Sequence, residues 1–195
     1  MTRSPGRPQE SRVTDAIIDA ALAELADNGF RGMAIDAVAR RAGVGKSALY
    51  RRWRSKVEMT ADALRALSVT AEPVPDTGSL NGDVRALLNE VRDWLSEPRI
   101  RHIYPDLLAE AQRNPVLAEA LMDYVGEPRR QRAQTVLDRA AGRGELSVAA
   151  DNDLVLDALG ALVFWRLIAL QRRVTRVYLD RVAEVICVMA KSAPR

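Results

Sequence analysis

Histidine and cysteine are nearly absent: the 195 residues hold one of each, His102 and Cys187. A single cysteine excludes an intramolecular disulfide. Its place in the apolar run Val185-Ile186-Cys187-Val188-Met189 reads as a core thiol, since a redox-sensing cysteine wants exposure and positive charge nearby. The lone histidine has no cluster of cysteines or carboxylates at ligand spacing, so no metal site is expected and His102 reads as a surface or capping residue. A Gly-rich phosphate loop and a Ser–His–Asp arrangement are also missing, which excludes the common enzyme chemistries and implies no cofactor. Aromatic residues make up only 5% of the chain, too few for a β-sandwich. No apolar run approaches the roughly 20 residues of a membrane span. The longest, Leu154 to Leu170, is broken by Asp157 and Arg166. Nothing at the N-terminus resembles a signal peptide, so a soluble, cytoplasmic protein without a membrane partner is expected.

What is present is Ala, Leu, Val and Arg in abundance, a composition of helices, and 48% apolar residues to bury. The net charge of +3 says little by itself; its distribution says more. Residues 1–60 carry a net +4 and the remainder a net −1. Residues 31–56 hold eight bases (Arg31, Arg40, Arg41, Lys46, Arg51, Arg52, Arg54, Lys56) against one acid, Asp36. Solvated helix faces usually mix signs, so a patch of this density faces a polyanion.

The pattern along the chain is helical throughout. Residues 1–10, with two prolines and a glycine, read as a flexible basic arm whose Arg3 and Arg7 suit a minor groove. Val13, Ile17, Ala20, Ala21 and Leu25 give an amphipathic helix over 12–28, closed by Asn28-Gly29, after which Phe30 turns back into the core. Short helices follow at 35–42 and 46–52. Ser55 and Glu58 form a capping box opening a helix over 56–70. The Pro- and Gly-rich stretch 71–79 is a loop beside a domain break. Ser79 caps a helix over 80–96 with Leu80, Val84, Leu87, Leu88, Val91 and Leu95 inward. Glu97-Pro98 restarts the chain toward Arg113 with a bend at Pro105. Asn114-Pro115 opens a helical stretch to Ala141, bent near Gly126 and Pro128 and stopped by Gly142 and Gly144. Asp151 caps a very apolar helix over 153–171, and Thr175 caps the last, over 176–191. The expected fold class is all-α: an N-terminal three-helix helix-turn-helix domain plus a larger C-terminal helical domain. The expected division is an arm over 1–10, a helix-turn-helix domain over 11–56 and a larger helical domain over 57–195.

Residues 34–53 carry the motif. Two helices that cross steeply need a small residue at the crossing, and Ala39 sits there. The turn between them needs a residue that accepts positive φ, and Gly43 follows four residues later. Val44 and Leu49 then pack the second helix on Val38 and Ala42. This leaves Lys46, Ser47, Tyr50, Arg51 and Arg54 to project away from the core, toward base edges and phosphates of a major groove. Tyr50 reads as a phosphate contact and Trp53 as core. Lys56, at the start of the next helix, and Arg12, on the first, complete the candidate DNA-binding set.

The segment 12–60 resembles the DNA-binding domain of the TetR family of bacterial transcriptional regulators. The residues carrying the resemblance are Ala20-Ala21, Leu25, Asn28-Gly29-Phe30, Ile35, Val38-Ala39, Ala42-Gly43-Val44 and Lys46 to Trp53, followed by Ser55-Lys56. The segments Asp76 to Leu80 and Arg143 to Leu146 resemble one subtype of that family's C-terminal domain. One departure is Ala34, where the family usually has Ser or Thr as an N-cap. The resemblance implies double-stranded DNA as a partner, read as a palindrome by a homodimer whose last two helices form a four-helix bundle. Here those helices carry Leu154, Leu156, Leu159, Leu162, Val163, Leu167, Val177, Val182, Val185, Ile186 and Met189. It also implies a repressor released by a small-molecule inducer of unknown identity. Trp94, Ile103, Tyr104, Leu107, Leu108, Met122, Tyr124, Phe164 and Trp165 are the candidate ligand contacts, though apolar residues at helical spacing mostly fill cores. An activator, a regulator without a small-molecule ligand, and a non-specific architectural binder are the alternatives.

Overall fold

The computed structural model describes residues 6–68, 73–147 and 152–192, with side chains from Arg12 onward. Among the described residues every regular element is helical: α1 (Gly6–Gly32), α2 (Ile35–Ala42), α3 (Lys46–Tyr50), α4 (Lys56–Arg65), α5 (Leu80–Ser96), α6 (Pro98–Ala111), α7 (Pro115–Leu121), α8 (Glu127–Gly142), α9 (Asp153–Phe164) and α10 (Arg176–Ser192). Two π-turns, Met122–Gly126 and Trp165–Ala169, follow α7 and α9.

The starts of four helices follow side chains visible in the sequence. Ser55 Oγ accepts from Glu58 N at 3.1 Å, Ser79 Oγ from Gly82 N at 3.2 Å, Asn114 Oδ1 from Leu117 N at 3.4 Å, and Thr175 Oγ1 from Tyr178 N at 3.2 Å. Each satisfies one of the donors that a helix start leaves without an internal partner. At α4 the box is shifted: the Glu58 carboxylate accepts from Arg54 N at 2.8 Å, one residue ahead of the cap. Asp151, the expected cap of α9, lies outside the described residues; Asn152 stands at the cap position without a side-chain bond.

Of the arm expected over 1–10, residues 6–10 are described, and they are helical. The backbone is helical from Gly6, and Pro8 falls in the first turn, where its missing N–H breaks no internal bond. Arg3 and the side chain of Arg7 lie outside the described residues. At the other end of α1, Gly29 adopts φ 66° and ψ 173°, so the chain breaks as its sequence suggested and turns Phe30 inward to 6% exposure. Phe30 N then donates to Asp106 Oδ2 of α6 at 2.6 Å.

The chain divides into two compact units. The first holds α1–α4, α6, α7 and the first π-turn; the second holds α5, α8, the second π-turn, α9 and α10. These units cut across the expected divisions 11–56 and 57–195. The physical reason is α4, which buries Met59, Thr60, Ala63 and Leu64 and packs on both α1 and α7. The helix after the helix-turn-helix therefore shares a core with it. In the second unit α5 is central, packed by α8, α9 and α10. It buries Leu80, Val84, Leu87, Leu88 and Leu95, leaves Val91 half-buried, and also buries a charge, Asp83. Asp83 accepts from Thr77 N at 2.5 Å, Thr77 Oγ1 at 2.8 Å and Arg143 Nη2 at 3.0 Å. Glu145 accepts from Leu80 N at 2.9 Å and from Arg143 Nε at 2.8 Å. The two segments 76–80 and 143–146 are thus halves of one fully bonded cluster, which is what a buried carboxylate requires. The Leu80 amide first, and then Arg143, hold the Glu145 carboxyl below the usual carboxylate range.

Candidate nucleic-acid interface

The helix-turn-helix is built as its spacing suggests. Val38 and Ala39 of α2 are buried at 0% and 3% exposure, and Leu49 of α3 at 1%. Gly43 closes α2 in the left-handed region at φ 68°, ψ 28°, and its amide donates to Ala39 O and Arg40 O. Ala34 holds the extended N-cap geometry, φ −110° and ψ 129°, and has no side chain to bond the first turn.

Behind α3, Trp53 is 5% exposed and donates its indole N–H to Asp62 Oδ2 of α4 at 2.7 Å. A buried indole needs such an acceptor, and Asp62 was not singled out in the sequence. In front, Lys46, Ser47, Tyr50, Arg51 and Arg54 are all exposed, Tyr50 at 53%. The α3 face therefore presents a hydroxyl, a phenol and three cations on a base fixed by Leu49 and Trp53. Lys46 Nζ pairs with Asp36 across the turn, at a pair of exposed groups where such contacts exchange readily. The side chains of Arg51 and Arg54 have no partner among the described residues. Arg12 of α1 is likewise exposed and unpaired among them.

Several bases of the 31–56 patch are internal supports. Lys56 Nζ donates to Phe30 O at 2.8 Å and Arg31 O at 3.3 Å and lies 4.6 Å from the Phe30 ring. Two of the three donors of its ammonium thus serve the end of α1. Arg52 bonds Thr14 Oγ1 and Ala48 O, Arg41 pairs with Asp27 and Glu24, and Arg31 pairs with Glu110. A run of bases in sequence cannot distinguish these from Arg51 and Arg54, because most of their acceptors come from other helices. Arg40 of α2 is also exposed and unpaired among the described residues.

The residues proposed for a ligand divide between the units. Ile103, Tyr104, Leu107, Leu108, Met122 and Tyr124 belong to the first; Trp94, Phe164 and Trp165 belong to the second. Ile103 and Leu107 are core at 1% and 0% exposure. Met122 and Trp165 are 58% and 59% exposed in the chain. Trp94 lies 3.9 Å under the Arg129 guanidinium, and Tyr124 accepts from Arg65 Nη2 at 2.6 Å. Of the bundle residues, Leu159, Val163, Leu167, Val182 and Ile186 are buried within the chain, while Leu154, Leu162, Val177 and Val185 are exposed. Trp165 extends the Leu154 and Leu162 row along α9, and Val188 extends the Val177 and Val185 row along α10. Cys187 is buried and its thiol is pushed up by that burial, in keeping with a core role; His102 is exposed. No group of side chains suited to a metal ion occurs among the described residues, and no described helix is long and apolar enough to cross a membrane.

Comparison with known proteins agrees with this geometry. Residues 17–63 match the model for bacterial regulatory proteins of the tetR family, and residues 74–186 match a tetracyclin repressor-like C-terminal domain. The chain is 34% identical over 167 residues to the HTH-type transcriptional regulator Mb1581 of Mycobacterium bovis, covering 83% of this chain and 77% of that one. It is 31% identical over 153 residues to the DNA-binding transcriptional repressor TetR of Mycobacteroides abscessus, covering 78% and 80%. The solved structure of the flavonoid-responsive regulator FrrA superposes with a TM-score of 0.72 at 24% identity, over 95% of this chain and 99% of that one. With the α3 face, the left-handed Gly43 turn and both domain matches in agreement, the chain belongs to the TetR family of bacterial transcriptional regulators and is a DNA-binding helix-turn-helix protein.

Proposed function

We propose that this protein is a cytoplasmic, homodimeric repressor that reads a palindromic operator and leaves it when a small molecule binds. The observation that carries the reading is the α3 face: Ser47, Tyr50, Arg51 and Arg54 exposed over a buried Leu49 and Trp53. In that reading Lys46, Ser47 and Arg51 meet base edges or phosphates, Tyr50 and Arg54 meet phosphates, and Arg12 and Arg40 flank them. Lys56 acts indirectly, by holding the end of α1.

Dimerisation is supported by the two exposed apolar rows. Leu154 and Leu162 on α9 and Trp165 in the π-turn after it, with Val177, Val185 and Val188 on α10, are each at least 37% exposed. A contiguous apolar surface of this kind marks an interface. A two-fold dimer carries two α3 helices, which sets half-sites about one helical turn apart or a multiple of it. Trp165 belongs to this interface and not to a pocket. Repression is supported by the M. abscessus relative's name, and release by a small molecule by the name of FrrA. A ligand acts only by preferring the arrangement that spaces the two heads wrongly.

Selection of bound sequences from a random duplex pool at physiological salt tests the reading. A palindrome with fixed spacing is expected. Binding without an enriched motif, fading smoothly with salt, would sink it in favour of a non-specific footprint.

A further inference from the structure

α5 and α10 pack side by side, and a groove of about 390 Å³ lies along their junction. Arg85, Asn89 and Arg92 of α5 line it, with Arg176 and Leu179 of α10. The spacing of the α5 residues by four and then three places them on one helix face. Small-molecule sites are mostly apolar with a few placed polar groups. This lining is the reverse: three guanidiniums and an amide, with one leucine.

The charges there are incompletely answered. Arg85 Nη2 pairs with Asp180 at 2.7 Å. Arg92 uses its neighbour Asp93 at 2.8 Å, a carboxylate 67% exposed and therefore easily given up. Arg176 has no hydrogen-bond or ion-pair partner among the described residues. It is also the first residue of α10, where the helix dipole repels a cation, and the first turn holds no acid to offset it. Arg172 and Arg173, both exposed, precede it. Asn89 Nδ2 donates to Arg85 O at 2.8 Å, which holds the amide at the groove.

We propose that this groove is an anion site, taking the phosphate or carboxylate group of a small metabolite between Arg92 and Arg176. Planar guanidinium forks bind such groups bidentately. The bound anion answers Arg176, the start of α10 and the weakly held Arg92 together. The site belongs to the second compact unit, apart from the DNA-reading face. Trp94, Phe164 and Trp165 do not line it. Leu179 is buried on the α5 side of α10, whereas Val185 and Val188 emerge on the exposed side, so the groove is not the apolar row described above.

The test is calorimetric titration of the full chain with inorganic pyrophosphate and, separately, citrate, at constant ionic strength. Arg176→Ala, Arg92→Ala and Arg51→Ala are titrated in parallel, with circular dichroism to establish folding. Saturable binding of one anion per chain is expected, weakened tenfold or more by Arg176→Ala and by Arg92→Ala and retained in Arg51→Ala. Arg176 is exposed at a helix start, so its removal leaves the core intact even where Arg92→Ala perturbs folding. Tighter pyrophosphate than citrate assigns the site to a phosphate, and the reverse to a carboxylate. No saturable binding of either probe, or binding lost in Arg51→Ala and kept in Arg176→Ala, would overturn the proposal.

Discussion

Replacing Ala34 with serine should stabilise the protein, although Ala34 is exposed. Ala34 already has the extended backbone of an N-cap, and its carbonyl already accepts from Ala37 N and Val38 N at 3.0 and 3.1 Å. Only the side-chain acceptor is missing. At Ser55, Ser79, Asn114 and Thr175 the cap oxygen bonds the amide three residues on, so a hydroxyl at position 34 would bond Ala37 N. Ala34 is exposed, leaving room for the added oxygen. The gain is the usual worth of a cap, about 1 kcal/mol within a range of roughly 0.5–2. For a chain of this size that raises Tm by about 2–4 °C. Ser55→Ala is the mirror experiment and should lower Tm by a similar amount. Thermal melts followed by circular dichroism, with Trp fluorescence to detect separate transitions of the two units, give both values. If Ser55→Ala falls as expected while Ala34→Ser leaves Tm unchanged or lower, the missing cap is not a deficit and the argument for α2 fails.

Gly43→Ala should destabilise by about 1–2 kcal/mol from backbone conformation alone, since φ is 68° and a Cβ there meets nothing within 4 Å. Gly29→Ala should cost more, because its Cβ would also lie 3.2 Å from Asp106 Oδ1; urea unfolding that ranks the two the other way would refute this. The Glu145 carboxyl is depressed in the folded protein, so its contribution is present above the unfolded value of 4.5 and is lost as pH falls through the folded value. Glu145→Gln should therefore be less stable than the parent at neutral pH, with the difference shrinking in acid; a difference that grows on acidification contradicts the assignment. Val185→Asp, at a 51% exposed position on the apolar row, should yield monomers in sedimentation at concentrations where the parent is dimeric. A stable dimer would move the interface elsewhere.

Local signals in the sequence carried much of this structure. The caps Ser55, Ser79, Asn114 and Thr175, the Ala39–Gly43 spacing and the Asn28-Gly29 stop each act within one turn of the chain, and each appears where its chemistry placed it. The outward and inward sides of α3 were legible for the same reason, since Leu49 and Trp53 sit one helical turn apart. What stayed hidden depends on groups brought from far away. Lys56 bonds a carbonyl 26 residues earlier, and Phe30 N an acid 76 residues later, so neither follows from local pattern. The burial of Asp83 depends on Arg143, 60 residues on, and so lies beyond any local pattern. Apolar spacing likewise could not tell the buried Leu107 from the exposed Trp165, because both lie on periodic helices and only the tertiary neighbours differ.

The account rests on α3 as the element that reads DNA, and Arg51→Ala tests this most directly. Arg51 is exposed and has no side-chain partner among the described residues, so its loss does not disturb the fold. Fluorescence anisotropy on the selected palindrome and on a scrambled duplex, over a salt series, should show operator binding weakened by about 1–3 kcal/mol. The scrambled duplex should lose less, narrowing the gap between the two. Operator affinity equal to that of the parent protein, at every salt concentration, would contradict the assignment of α3 as the recognition helix.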